Sequence, residues 1–155
     1  MGMTERLNED LKAAMKAREE GKLRLSVIRM AKAAIKNQEI QKSQPLTEEE
    51  ILQIISKELK MRRDILPEYE KAGRSESVET IQAEMEILLE YLPKQLTEEE
   101  ILALIRNAVR ETGAQGPADM GKVMGKLSPL TKGQADGKVV SALVKQELSG
   151  REAAD

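Results

Sequence analysis

The sequence predicts an all-α protein. An N-terminal helical bundle of about four helices is expected over residues 1–93, a smaller C-terminal three-helix subdomain over 94–149, and a frayed tail at 150–155. Three observations carry that expectation. Apolar residues recur at helical spacing along the chain, and no run alternates convincingly as a strand would. Glycine and proline punctuate the periodic segments at Gly21, Pro45, Gly73, Pro93 and Gly113. Two stretches, Thr47-Glu48-Glu49-Glu50 and Thr97-Glu98-Glu99-Glu100, have the threonine and glutamate spacing of a capping box.

The first helix is expected from Thr4, as its cap, to about Glu20, with Leu7, Leu11, Ala14 and Met15 on its apolar side and Gly21 ending it. The second, about Lys22 to Gln41, places Leu23, Val27, Ile28, Met30, Ala31, Ala34 and Ile35 on one arc. Lys22, Arg29, Lys32 and Lys36 form a basic stripe on its other side, either a solvated face or a phosphate-binding edge. The third helix starts at the Thr47 box and runs to about Lys71. Its core face is Ile51, Leu52, Ile54, Ile55, Leu59, Ile65 and Leu66, and Pro67 marks a kink or a local end. Ser75 or Ser77 is expected to cap the fourth, whose stripe is Val78, Ile81, Met85, Leu88, Leu89 and Leu92, closed by Pro93.

Three charges fall on these core faces: Arg24, Glu58 and Arg62. A buried charge needs a partner. Glu58 and Arg62 stand four residues apart in the favourable acid-then-base order, so a polar network is expected between them, with Arg24 as a further member. The competing reading is three long side chains reaching water at the bundle edge.

Leu96 to Leu102 repeats Leu46 to Leu52 identically, 50 positions on. The match stops there, so the same start signal has been used twice. The fifth helix should end at Thr112-Gly113. Pro117 and Asp119 open the sixth, which Pro129 ends or bends, and Asp136 caps the last, with Val140, Leu143, Val144 and Leu148 inward.

With 40% hydrophobic and 34% charged residues, the chain is too apolar to be disordered. Tyr69 and Tyr91 are its only aromatics, which argues against a protein that stacks unpaired bases on rings. The absence of histidine and cysteine removes zinc fingers, thiol chemistry and histidine-based catalysis. No glycine-rich phosphate loop, dinucleotide fingerprint or nucleophile elbow is present. No catalytic residue, metal ligand or cofactor is therefore expected. The N-terminus lacks a signal-peptide core and no run is long enough to span a bilayer, so the expected compartment is cytoplasmic.

One stretch stands apart, Asp119-Met120-Gly121-Lys122-Val123-Met124-Gly125-Lys126-Leu127, followed by Lys132-Gly133-Gln134-Ala135-Asp136-Gly137. Glycine inside a helix costs roughly 1 kcal/mol against alanine, so Gly121 and Gly125 need a reason. Four residues apart, they share a face beside Lys122 and Lys126. That bare face is either a docking spot for a sugar-phosphate backbone or a tight helix crossing inside the bundle.

These motifs, with Leu25-Ser26-Val27-Ile28-Arg29-Met30, Glu58-Leu59-Lys60, Arg62-Arg63-Asp64, Ala72-Gly73-Arg74 and Tyr91-Leu92-Pro93, occur in the order in which the GatB/YqeY family carries them. The chain resembles that family along nearly its whole length, in its stand-alone YqeY-like form. The resemblance implies an all-helical module akin to the tail of the amidotransferase B subunit, which touches tRNA while glutamine and ATP chemistry lie elsewhere. It implies that Gly121, Lys122, Gly125, Lys126, Lys132 and Gly133 contact RNA backbone. Lys138 joins them by proximity. The leading expectation is a non-catalytic tRNA- or RNA-binding accessory to glutamine-dependent carbon–nitrogen ligase chemistry. The alternative is an adaptor docking on an amidotransferase or synthetase through an apolar groove between the subdomains. An independent amide transferase would need a nucleophile the sequence does not offer.

Overall fold

The computed structural model describes residues 2–154, and the side chains of residues 2–150. Seven α-helices and two short 3₁₀ turns make up the secondary structure among the described residues, with no strand. The helices are α1 (Met3–Lys16), α2 (Lys22–Lys42), α3 (Glu48–Lys71), α4 (Ser75–Leu89), α5 (Glu98–Thr112), α6 (Met120–Thr131) and α7 (Gly137–Ala154). The chain divides into two compact units between Leu92 and Pro93.

In the N-terminal unit, α1 to α4 close on a core that includes Leu7, Val27, Ile28, Ile55, Leu59 and Leu88. Helix α3 shows how the pattern builds it. Ile51, Ile55 and Leu59 recur every fourth residue and are buried, and the next turn of the same seam is occupied by Arg62. Ile65, expected in that core, is 40% exposed, and Met30 of α2 is 47% exposed. Helix α3 does not stop at Pro67 but continues to Lys71. It ends with Gly73 at φ +70°, the Gly73 amide donating to the Glu70 carbonyl and the Arg74 amide to that of Tyr69. That is the paired bonding of a Schellman cap, and the left-handed position favours glycine.

Helices α1 and α4 differ from expectation at their ends. Helix α1 starts at Met3, and its amide donates to Glu48 Oε2 at 2.9 Å. A carboxylate at the start of α3 thus does the work expected of Thr4. Helix α1 also stops early, at Lys16. Arg18 turns to φ +53°, and a 3₁₀ turn carries the chain to Gly21. At the start of α4 no side chain caps, since Ser75 is already the first helical residue.

Gly21 is buried, and its φ of −93° demands no glycine. Space does: a Cβ there would lie 2.1 Å from the Ala14 carbonyl oxygen. Backbone-to-backbone packing between the end of α1 and the start of α2 therefore needs a residue without a side chain.

In the C-terminal unit, α5, α6 and α7 pack around Ile105, Val109, Val123, Leu127, Val140 and Leu148. The two capping boxes have matching geometry. At each, the threonine hydroxyl accepts from the N3 glutamate amide at 3.2 Å, while the threonine amide donates to the glutamate carboxylate at 3.3 Å. Pro129 lies inside α6, which runs two residues further. The entry segment is tied to the loop between α6 and α7: the Leu96 amide donates to the Gln134 carbonyl at 2.8 Å, and Gln95 Nε2 to the Gly133 carbonyl at 2.9 Å. Asp136 Oδ1 accepts from the Lys138 amide at 3.0 Å, the N-cap expected for α7. Helix α7 continues to Ala154 through residues expected to fray; side chains from 151 onward, and residue 155, lie outside the described residues.

Candidate nucleic-acid interface

Helix α6 buries Val123, Leu127 and Thr131 at every fourth residue. Helical geometry places Gly121, Lys122, Gly125 and Lys126 on the side away from that seam, and all four are exposed. A Cβ built on Gly121 or Gly125 meets nothing within 4 Å. Among the described residues, therefore, no tight helix crossing accounts for these glycines. That need arises at Gly21 instead.

The lysines beside them face carboxylates. Lys126 Nζ lies 2.6 Å from Glu111 Oε2 of α5, with both side chains about half exposed. Its hydrogen bond holds the Glu111 carboxyl below the usual carboxylate range. Lys122 Nζ lies 3.7 Å from Asp119 Oδ1, and the other oxygen of that carboxylate accepts from the Gln115 amide at 3.0 Å. Lys132 and Lys138 are exposed at the two ends of the α6–α7 loop, and Gly133 between them has φ +78°. Glu111 was not singled out from sequence. It is distant along the chain from Lys126, and only the packing of α5 on α6 pairs them.

On α2, Lys22, Arg29 and Lys36 are exposed, but Lys32 is half-buried and donates to Asn8 Oδ1 of α1. The stripe is thus interrupted by a helix–helix contact. Lys32 and Lys36 line a cleft of about 130 Å³ with Thr4, Leu7, Ile35 and Glu39.

The charges on core faces separate into two groups. Arg62 is 6% exposed. Its Nη1 donates to Glu58 Oε2 and to the Glu58 carbonyl, both at 3.0 Å, and its Nη2 lies 3.6 Å from Glu84 Oε2 and 3.7 Å from Met30 Sδ. Arg24 does not join them. It reaches Glu90 Oε2 at 2.7 Å near the end of α4, where both side chains meet water. Two carboxylates therefore face one buried guanidinium, and the second, Glu84, comes from a helix that sequence spacing could not connect to it.

Beside Arg24 lies a second cluster that was not foreseen. Tyr91 is buried, its hydroxyl donates to Asp10 Oδ2 of α1, and the Arg6 guanidinium sits 4.6 Å above its ring. Arg6 Nη2 also donates to the Glu90 carbonyl at 2.8 Å. Burial, then the Asp10 contact, push the Tyr91 hydroxyl well above its ordinary range.

Among the described residues no cluster of three or more acidic, histidine or cysteine side chains could hold a metal. An all-helical protein of two units, with an uncluttered glycine–lysine face on its C-terminal unit, is a candidate binding module. Comparison with known proteins supplies the family. The YqeY-like family model matches residues 4–148, and the chain belongs to that family. It is 32% identical over 148 residues to altered inheritance of mitochondria protein 41, mitochondrial, of Pyrenophora tritici-repentis, covering 94% of this chain and 80% of that protein. It is 35% identical over 115 residues to the protein of the same name from Lachancea thermotolerans, covering 72% of this chain and 60% of that one. Both relatives are mitochondrial by name, which overturns the cytoplasmic expectation. That expectation rested on lacking a signal core and a bilayer span, and neither distinguishes the cytosol from the mitochondrial interior.

Proposed function

We propose that this chain is a non-catalytic module that docks on the sugar-phosphate backbone of structured RNA, with tRNA the first ligand to test. The observation that carries the reading is the pair of glycines in α6 that face open space. They weaken the helix, make room for no neighbour among the described residues, and stand beside Lys122 and Lys126. A surface without side chains admits a ribose-phosphate strand, and the adjacent ammonium groups meet its charge. Lys132, Gly133 and Lys138 extend the surface along the α6–α7 loop. Both tyrosines precede the C-terminal unit, so recognition there is by backbone and shape. Kinship with amidotransferase tails, as the sequence motifs imply it, supports the same ligand. The setting we adopt is mitochondrial, after the relatives' names, and fractionation of tagged protein checks it.

The test is tRNA binding measured across a salt series. With about three phosphates neutralised, the logarithmic salt slope should be about −2 to −3. Lys122→Glu and Gly121→Glu should each weaken binding about tenfold or more while the far-UV spectrum stays helical. No tRNA binding at about 50 mM salt overturns the reading. A pull-down that keeps an amidotransferase or synthetase after nuclease treatment replaces it with the adaptor reading.

A further inference from the structure

We infer that Glu111 is a built-in competitor for the phosphate position at Lys126, so that the α6 face admits a dense phosphate backbone and turns away isolated anions. The inference rests on the docking reading above and concerns its selectivity. Glu111 Oε2 stands 2.6 Å from Lys126 Nζ, in the place a bound phosphate oxygen would take. The carboxylate is held there from its other side. Asn107 Nδ2 donates to Glu111 Oε1 at 3.3 Å, and Arg110 Nη2 donates to Asn107 Oδ1 at 3.2 Å. Asn107 and Arg110 of α5 thus help aim the Glu111 carboxylate at Lys126 of α6.

Nothing buried requires this pair. Its side chains are 51% and 46% exposed, and exposed pairs of this kind add little to stability. The arrangement at Lys122 differs. The Lys122 side chain is 70% exposed and its ammonium lies 3.7 Å from its carboxylate, while Asp119 is partly engaged by the Gln115 amide. A backbone phosphate therefore meets Lys122 first. The neighbouring phosphate of the same strand then reaches Lys126 at high local concentration and releases the Glu111 carboxylate to water. A single free anion has no such second attachment, and at Lys126 it would only exchange one negative partner for another.

Glu111→Gln keeps the shape and removes the charge. Glu98→Gln, at the opposite end of α5, changes net charge by the same amount. Binding of a labelled RNA hairpin is measured by anisotropy at about 100 mM salt, with inorganic phosphate as competitor. The expected result is about three- to fivefold tighter RNA binding by Glu111→Gln and less than about 1.5-fold change by Glu98→Gln. Inorganic phosphate should compete more effectively against the first variant than against the unaltered protein. Unchanged RNA affinity of Glu111→Gln, in a protein that binds RNA, overturns the inference alone, as does an equal gain from Glu98→Gln. Absence of RNA binding by the unaltered protein and Glu111→Gln alike removes the docking reading and the competitor with it.

Discussion

Replacing Gly125 with alanine should stabilise the C-terminal unit and weaken RNA binding. Gly125 lies inside α6, and a Cβ there has nothing within 4 Å to strike. Alanine in such a position gains about 1 kcal/mol, part of it by restricting the unfolded chain. Gly121 lies in the first turn, so the same change should gain less there, about 0.5 kcal/mol. The double variant is then about 1.5 kcal/mol more stable. Amide exchange of the most protected residues of α5, α6 and α7 reads that unit directly and should slow about tenfold. The two methyl groups would also stand where the docked strand comes closest, and RNA affinity should fall about five- to tenfold. Faster exchange would mean that the face is not open. Slower exchange with unchanged RNA affinity would mean that the glycines serve no docking, and the functional reasoning would fail.

The same substitution at Gly21 has the opposite sign. Its Cβ would overlap the Ala14 carbonyl oxygen at 2.1 Å, so Gly21→Ala should cost about 1–3 kcal/mol, seen as a lower urea midpoint. Arg62→Ala leaves Glu58 and Glu84 without their cation and should cost about 3 kcal/mol, whereas Arg24→Ala, in an exposed pair, should stay within about 1 kcal/mol; equal effects would refute the distinction. The raised Tyr91 hydroxyl gives an alkaline limit. The folded state favours the protonated phenol, so this contribution is complete below about pH 10 and is lost as pH climbs from there toward the folded-state value. Alkaline unfolding followed by far-UV dichroism should begin above about pH 10, and Tyr91→Phe should lose that part of the pH dependence.

What could be read from the sequence was local. The capping boxes at Thr47 and Thr97 fix where α3 and α5 begin, because donor and acceptor lie three residues apart. The left-handed stops at Gly73 and Gly113 and the Asp136 cap are equally short-ranged. Errors arose where a partner came from another helix. Glu48 in place of Thr4 at the start of α1, Glu84 at Arg62, Glu90 at Arg24 and Glu111 at Lys126 all depend on packing that residue spacing does not record. Gly21 looked like a stop signal and is a packing requirement, since a missing side chain reads the same for either purpose. The two glycines of α6 are visible in the sequence as an anomaly, but only their surroundings show that no described neighbour packs against them.

The Tyr91 contact bears on how the protein emerges from the ribosome. Asp10 and Arg6 are made early, but their partner is 81 residues further along for the hydroxyl and 84 for the Glu90 carbonyl. Helix α1 can pack on α2 and reach Glu48 soon after those residues are made, but this clasp closes only once Tyr91 has been added. At synthesis speeds of about 5–20 residues per second, several seconds separate Asp10 from its partner. A nascent chain halted short of Tyr91 would hold all four N-terminal helices but lack the tyrosine that ties α1 to the segment after α4.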